Sequence, residues 1–286
     1  MTTRAELRPL TLNCVNDAIA VMNASSAGRT FAFQLDLVKF LMLSRFWCLT
    51  YPYSYVAYVG GEPAGVLLNS VDSAAMEAYS FYWGVAEPFR RTRVAWELVH
   101  KYLGRVRREG YFQTSADTST DSPMRTFGRL GYRAACELVE VAAGDLGVAS
   151  CADALDVRPV PIADLIDAVP HDGTARPWTA KPFFLQGAES MLETLGAYSG
   201  RRLTAWLAAT RFTGFTTMML LGHAPKEGRA LAQLIRELPE RGFPAPFTAS
   251  HIRAGSAEHA VLEGLGFRIR QRWSHITLDL TASSAR

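Results

Sequence analysis

Val85-Ala86-Glu87-Pro88-Phe89-Arg90-Arg91-Thr92-Arg93-Val94-Ala95 is where one residue pattern gives way to another. Upstream, Ala78–Val85 alternates tyrosine, phenylalanine and tryptophan with smaller residues, which predicts a core strand. Pro88 ends it, and across Val94–Val106 apolar residues return at helical spacing. Between strand and helix stand Arg90, Arg91 and Arg93, with Thr92 among them. A helix start offers unpaired N–H groups and the positive end of its dipole, a ready site for phosphate. The arginines add charge-assisted donors. The same residues also suit an ordinary solvated helix terminus, and both readings stand at this point.

Strands and helices mix on either side of this passage. Leu7–Leu12 predicts an opening strand, Val15–Met22 an amphipathic helix and Phe31–Trp47 a second helical region. Tyr55–Val59 and Ala64–Ser70 form a hairpin around Gly60-Gly61. Downstream come a strand at Phe112–Ala116, a short helix at Ser122–Arg129 stopped by Gly131, and a strand at Cys136–Val141. Asp121 or Ser122 suits the cap of that helix.

The chain then repeats itself. Leu7-Arg8-Pro9-Leu10 returns as Val157-Arg158-Pro159-Val160, and Ala57-Tyr58-Val59-Gly60-Gly61 as Ala197-Tyr198-Ser199-Gly200-Arg201. Arg129-Leu130-Gly131-Tyr132 returns as Gly264-Leu265-Gly266-Phe267, in the same order. A repeat this long is a duplicated domain rather than a solenoid unit. The expected division is 1–145, a linker rich in Ala, Gly and Ser at 146–156, and 157–286. Such a mixture of elements means an α/β (α+β) fold.

Composition narrows the function. The 286 residues carry a net charge of +3 and are 49% hydrophobic, enough for two cores and without the charge excess of a nucleic-acid binder. The basic residues cluster instead at Arg90–Arg93 and Arg105–Arg108, which suits a small polyanion. Cys14, Cys48, Cys136 and Cys151 have no metal-ligand spacing and read as reduced thiols. The amino terminus lacks a signal peptide's apolar run, and Phe40–Leu49 is too short for a membrane span. The expectation is a cytoplasmic protein with no metal, no nucleic acid and no membrane partner.

The passage from Val85 to Ala95, leading to Leu98, resembles the acetyl-CoA pyrophosphate loop of the GNAT superfamily of N-acyltransferases. That loop runs Gln/Arg-x-x-Gly-x-Gly/Ala after a strand ending in valine and proline. Arg90 fills its first position and Ala95 its last, while Arg93 stands where the family has a glycine. Phe127-Gly128-Arg129-Leu130-Gly131-Tyr132 resembles the closing Tyr-x-x-Leu-Gly-Phe, with Phe127 in place of the tyrosine that often protonates the departing thiolate. In the second half the tyrosine position is Leu262, and the loop is similar only in Gly228-Arg229-Ala230, behind Lys226.

The resemblance implies two tandem GNAT-like domains, each a mixed, largely antiparallel sheet flanked by helices. It implies acetyl-CoA or another acyl-CoA as co-substrate, held by Val85, Arg90, Arg91, Thr92, Arg93, Val94 and Ala95, with Gly228, Arg229 and Ala230 as the alternative loop. The implied reaction is direct acyl transfer to an amine of a small molecule in a ternary complex. The first half is the expected working copy, in a monomer or homodimer.

Amine acylation needs a base to take a proton from the ammonium. Glu77 begins the strand, and unbroken alternation puts it on one face with Tyr79, Phe81 and Trp83. Glu77 is the expected base and Tyr79 a proton relay; the alternative for Glu77 is an exposed strand-end carboxylate. Asp117 follows the strand beside which the pantetheine arm would run, and His251 and His259 flank the equivalent junction of the second half. Two other functions stay open. One is a degenerate, non-catalytic acyl-CoA-binding or scaffold protein, favoured by Phe127, Leu262 and Arg93. The other is a protein N-acetyltransferase.

Overall fold

The computed structural model describes residues 4–26, 34–119, 124–146, 155–168, 177–212 and 215–281. Asp121, Ser122, Cys151 and most of the expected linker lie outside them. The elements run β1 (Glu6–Pro9), α1 (Val15–Ser26), α2 (Leu37–Phe46), β2 (Tyr55–Val59), β3 (Glu62–Asp72), β4 (Glu77–Val85), α3 (Val94–Arg108) and β5 (Gln113–Ser119). Next come α4 (Met124–Arg129), β6 (Arg133–Ala143), β7 (Asp156–Pro159), α5 (Ile162–Ala168), α6 (Pro182–Ala188), β8 (Glu193–Ser199) and β9 (Arg202–Phe212). β10 (Phe215–His223), α7 (Gly228–Arg236), β11 (Phe247–Arg253), α8 (Ala257–Gly264) and β12 (Arg268–Asp279) complete the chain.

Two compact units result, and their segments interleave along the chain. One comprises Met1–Asp117, Arg129–Arg133 and Thr277–Arg286; the other Thr118–Gly128 and Ala134–Ile276. In the first unit the strand order is β1-β2-β3-β4-β5, antiparallel except for the parallel pair β4–β5. In the second it is β7-β8-β9-β10-β11-β6-β12, with β10–β11 parallel. β6 follows the first half of the sequence yet pairs with β11, Ala143 opposite Phe247 and Val141 opposite Ala249. The end of β12 belongs to the first unit, where the Leu280 N–H donates to the Phe112 carbonyl at 2.8 Å.

The first unit is built by helices on both faces of its sheet. Val15, Ala18, Ile19 and Met22 of α1 meet Val56, Val66 and Leu68 of β2 and β3 in one buried cluster. On the other face α3 buries Val94, Leu98, Tyr102 and Val106, a stripe repeating every four residues. Each such aliphatic side chain contributes about 1.5–3 kcal/mol on full burial. The helices come close because two strand positions are glycine. A Cβ on Gly65 would stand 2.6 Å from Val94 Cγ1 and 3.0 Å from Leu98 Cδ1, and one on Gly84 would collide with the Ser25 hydroxyl. These two contacts seat the start of α3 and the end of α1 beside β4.

In the second unit α7 covers the sheet with Leu231, Leu234 and Ile235, all fully buried. α6 has no counterpart in the sequence reading. It is less than two turns long, too short to show a period, yet Phe184 and Leu185 within it are fully buried. β12 opens with Arg268, Arg270 and Arg272 exposed at alternate positions and buries His275 and Ile276 further along.

Candidate functional site

The site is set by where β4 and β5 part. Their parallel ladder runs through Glu77–Gln113, Ala78–Thr114, Tyr79–Ser115 and Ser80–Ala116, and ends there. On its other edge β4 stays paired with β3 to Val85, but the register shifts: Asn69 lies opposite Ser80 and Leu68 opposite Tyr82. Phe81 is therefore an extra residue, a β-bulge that bends β4 at the point where it leaves β5. Among the described residues the β4–β5 register ends at Ser80–Ala116, so the two strands part from Phe81 onward.

The bulge corrects the expected alternation. Glu77 and Tyr79 share a face, but beyond Phe81 the register carries Tyr82 onto that face and turns Trp83 to the opposite one. The Tyr82 hydroxyl lies 2.7 Å from the Ser25 hydroxyl of α1. Phe81 keeps the α2 side: the Trp47 ring stacks on it at 5.7 Å and 8°, and on Tyr79 at 5.9 Å and 26°. Tyr51-Pro52-Tyr53 forms a short turn, with Arg105 over the Tyr53 ring at 4.4 Å.

Tyr79 is buried, and its hydroxyl donates to Asp117 Oδ2 at 2.8 Å. Burial, reinforced by the Asp117 charge, pushes this phenol well above the ordinary tyrosine range. It therefore stays protonated and acts as a donor to Asp117. Glu77 sits half-buried at the closed end of the ladder, opposite Asp72 and Gln113. Four residues of strand separate it from Phe81, about 13 Å at the usual rise.

Beyond Val85 the chain makes a short turn at Glu87–Phe89 and then enters the arginine loop. Arg90 reaches back with Nη2 3.3 Å from the Ser25 carbonyl. Arg91 takes the left-handed region at φ 70°, whereas Arg93 is right-handed at φ −79°, ψ −5°. Position 93 has a backbone conformation open to any residue, so no backbone strain arises from the arginine there. The Thr92 hydroxyl donates to the Phe89 carbonyl at 2.6 Å and accepts the Val94 N–H at 3.3 Å, which holds the turn. Val94 is buried under Gly65, Ala95 is half-buried, and Arg90, Arg91 and Arg93 are exposed.

No family model matches the sequence, and no curated protein matches it. Solved structures match over nearly its whole length. A GCN5-related N-acetyltransferase from Sphaerobacter thermophilus is similar with a TM-score of 0.73 and 12% identity, covering 96% of each chain. A tandem GNAT protein from the clavulanic acid biosynthesis pathway, solved without acetyl-CoA, gives 0.70 at 15% identity, over 98% of this chain and 100% of its own. A GCN5-related N-acetyltransferase from Anabaena variabilis gives 0.63 at 13%, over 97% of this chain and 73% of its own. This chain has the tandem GNAT fold. At such identities the fold is what is shared, and the chemistry has to be read from this chain's own side chains.

The second GNAT-like half repeats the parting. β10 and β11 pair from Thr216–Phe247 to Met218–Ala249 and no further, and Met219 is the bulge, with Met218 opposite Ala209 and Leu220 opposite Ala208. Its loop differs. Only Ala224–Glu227 separates β10 from α7, where Ala86–Arg93 separates β4 from α3. Lys226 carries the positive φ, 69°, and Glu227 occupies the N-cap, paired with Arg202 at 2.5 Å. A carboxylate thus stands at the helix start where a phosphate would bind. Gly228 serves packing: a Cβ there would meet Val261 Cγ2 of α8 at 3.2 Å. Arg229 and Ala230 follow inside α7, Ala230 buried.

The remaining candidates are structural. His259 is buried in the first turn of α8 and its Nδ1 accepts the Gly255 N–H at 3.2 Å, while His251 takes φ 60° at a register shift in β11. Phe127 and Leu262, at the positions of the family's tyrosine acid, are both buried. Among the described residues, no three His, Cys, Asp or Glu side chains converge on a common point. No described helix is long and apolar enough to cross a membrane.

Proposed function

We propose that this chain is an acyl-CoA-dependent N-acyltransferase that uses acetyl-CoA, or a close acyl homologue, and acts from its first half on an amine of a small molecule. The observation that carries the reading is the end of the β4–β5 ladder at Ser80–Ala116, in the same unit as an α3 start that displays Arg90, Arg91 and Arg93. Strands that part in this way suit an extended amide-bearing chain such as pantetheine, laid along the end of β4. The loop then meets the pyrophosphate with arginine charge and helix N–H groups. The end of β4 near Val85 is the part of the backbone assigned to polarise the thioester carbonyl.

The first half is favoured because its loop is long and positive, whereas the short loop of the second carries the Glu227 carboxylate. Glu77 and Asp117, both on the face of Tyr79, are the carboxylates from which the base is drawn. The stacked Trp47, Tyr79 and Phe81, an aromatic surface on that side of β4, support a small-molecule acceptor. A second reading, a binding protein without turnover, draws on the two buried apolar residues at the acid position, Phe127 and Leu262.

The test is calorimetric titration of acetyl-CoA into wild type, Arg90→Ala/Arg93→Ala and Lys226→Ala/Arg229→Ala. Loss confined to the first double variant supports the proposal, and loss confined to the second moves the site to the other half. Absence of wild-type binding ends the acyltransferase reading. Binding without thiol release on any primary amine or lysine peptide leaves the binding protein.

A further inference from the structure

The base for this chemistry is decided by the strand that carries it. Extending the β4–β5 register one step past its last rung would put Asp117 opposite Phe81, the bulge residue. Asp117 is thus the first residue of β5 past the last rung, where the two strands part, while Glu77 lies at the opposite end of the ladder. Its carboxylate is oriented by an unusually fixed donor. Tyr79 is buried, clamped by the Trp47 ring at 5.9 Å, and its hydroxyl reaches Asp117 Oδ2 at 2.8 Å. Asp117 itself is half-buried, so it can still exchange protons with water. The stacked Trp47 and Phe81 rings flank the same point with apolar, aromatic surface.

We infer that Asp117 is the general base of this protein, that Tyr79 is its positioning residue, and that the acceptor class is a protonated primary amine with an apolar or aromatic body. The inference rests on the acyltransferase reading above. The ammonium gives one proton to the Asp117 carboxylate, which becomes a neutral acid. The freed nitrogen lone pair forms the new C–N bond at the thioester carbonyl carbon. The C–S bond breaks, sulfur keeps its electron pair, and the thiolate takes the second proton that the nitrogen loses. Asp117 then releases its proton to water, so the products are amide, CoA thiol and one proton. No tyrosine acid is required, which accommodates Phe127 at that position.

The experiment compares wild type, Asp117→Asn, Tyr79→Phe and Glu77→Gln by acetyl-CoA calorimetry and by thiol release. Acceptors are a panel of primary amines led by 2-phenylethylamine, with hydroxylamine, already unprotonated at neutral pH, as the nucleophile that needs no base. Asp117→Asn should bind acetyl-CoA like wild type, lose ~100-fold or more in kcat/KM toward amines, and keep most of its hydroxylamine rate. Tyr79→Phe should shift the acid limb of the amine pH–rate profile upward, because the carboxylate loses a hydrogen bond that favours its charged form. An active wild type with Asp117→Asn within threefold of it, or with the loss falling on Glu77→Gln instead, overturns this assignment and leaves acyl transfer standing. A wild type that binds no acetyl-CoA, or releases no thiol with any amine, brings down both.

Discussion

Tyr79 and Asp117 are joined at the last rungs of the β4–β5 ladder, hydroxyl to carboxylate at 2.8 Å, by two side chains 38 residues apart in sequence. The bond links the closed part of the strand pair to the place where it opens. It also fixes which state each partner holds: the phenol keeps its proton, and the carboxylate accepts it as a hydrogen bond.

The arginine loop should dominate cofactor affinity. Hydrogen bonds to charged groups contribute about 1.5–3 kcal/mol each, so losing both in Arg90→Ala/Arg93→Ala should weaken acetyl-CoA binding by roughly 100-fold or more. The effect should shrink as salt rises, since these side chains are exposed. Calorimetry at two ionic strengths checks both points.

Gly65→Ala is expected to be costly despite adding one methyl group. The new Cβ would stand 2.6 Å from Val94 Cγ1, at the first residue of α3. Relieving that overlap costs about 1–3 kcal/mol and tilts the helix start that carries the loop. Urea denaturation should show the loss, and acetyl-CoA affinity should fall with it even though residue 65 itself lies under the helix.

Stability should decline in alkali. Tyr79, Tyr102 and Tyr132 are all buried, and burial leads the causes that raise each above the ordinary tyrosine range. A raised folded value means the contribution is complete below the unfolded value, near pH 10, and is lost as pH climbs toward the folded one. Above about pH 10 the unfolded chain sheds protons that the folded chain retains, so unfolding becomes easier. Denaturation midpoints should be level from neutral pH to about 9.5 and then drop; Tyr102→Phe should make the drop shallower.

Cys48 should be a sluggish thiol. Burial raises it to about 11, so its thiolate fraction at mild pH is on the order of 100-fold below that of an ordinary cysteine. Timed alkylation at pH 8, read by peptide mass, should label it last among the exposed and half-buried thiols. Prompt labelling would show that the end of α2 opens readily.

Local pattern carried a large part of this protein. Gly60-Gly61 marked a hairpin because both residues take positive φ, 61° and 86°, which side-chain-bearing residues avoid. The stripe from Val94 to Val106 marked α3 because a helix repeats within a few residues. The duplication was legible for the same reason: turns and strand starts are written in neighbouring residues, and they were written twice. From such signals the duplication and the arginine loop followed directly, and the tandem GNAT fold followed from the resemblance of that loop to a family.

Only the tertiary structure decided what those elements do together. Phe81 looks like one more alternating aromatic, and nothing beside it in sequence announces that β3 skips it. Register is a relation between strands, so a bulge reverses the facing of Trp83 without changing a residue. Asp117 reads as an ordinary strand-end aspartate until β5 is laid parallel to β4 and the ladder stops at Ala116. The left-handed backbone at Arg91 and the right-handed backbone at Arg93 are likewise properties of the folded loop. Periodicity is local and survives in the sequence; partnership between distant strands is created by packing, and the chemistry of this site depends on the partnership.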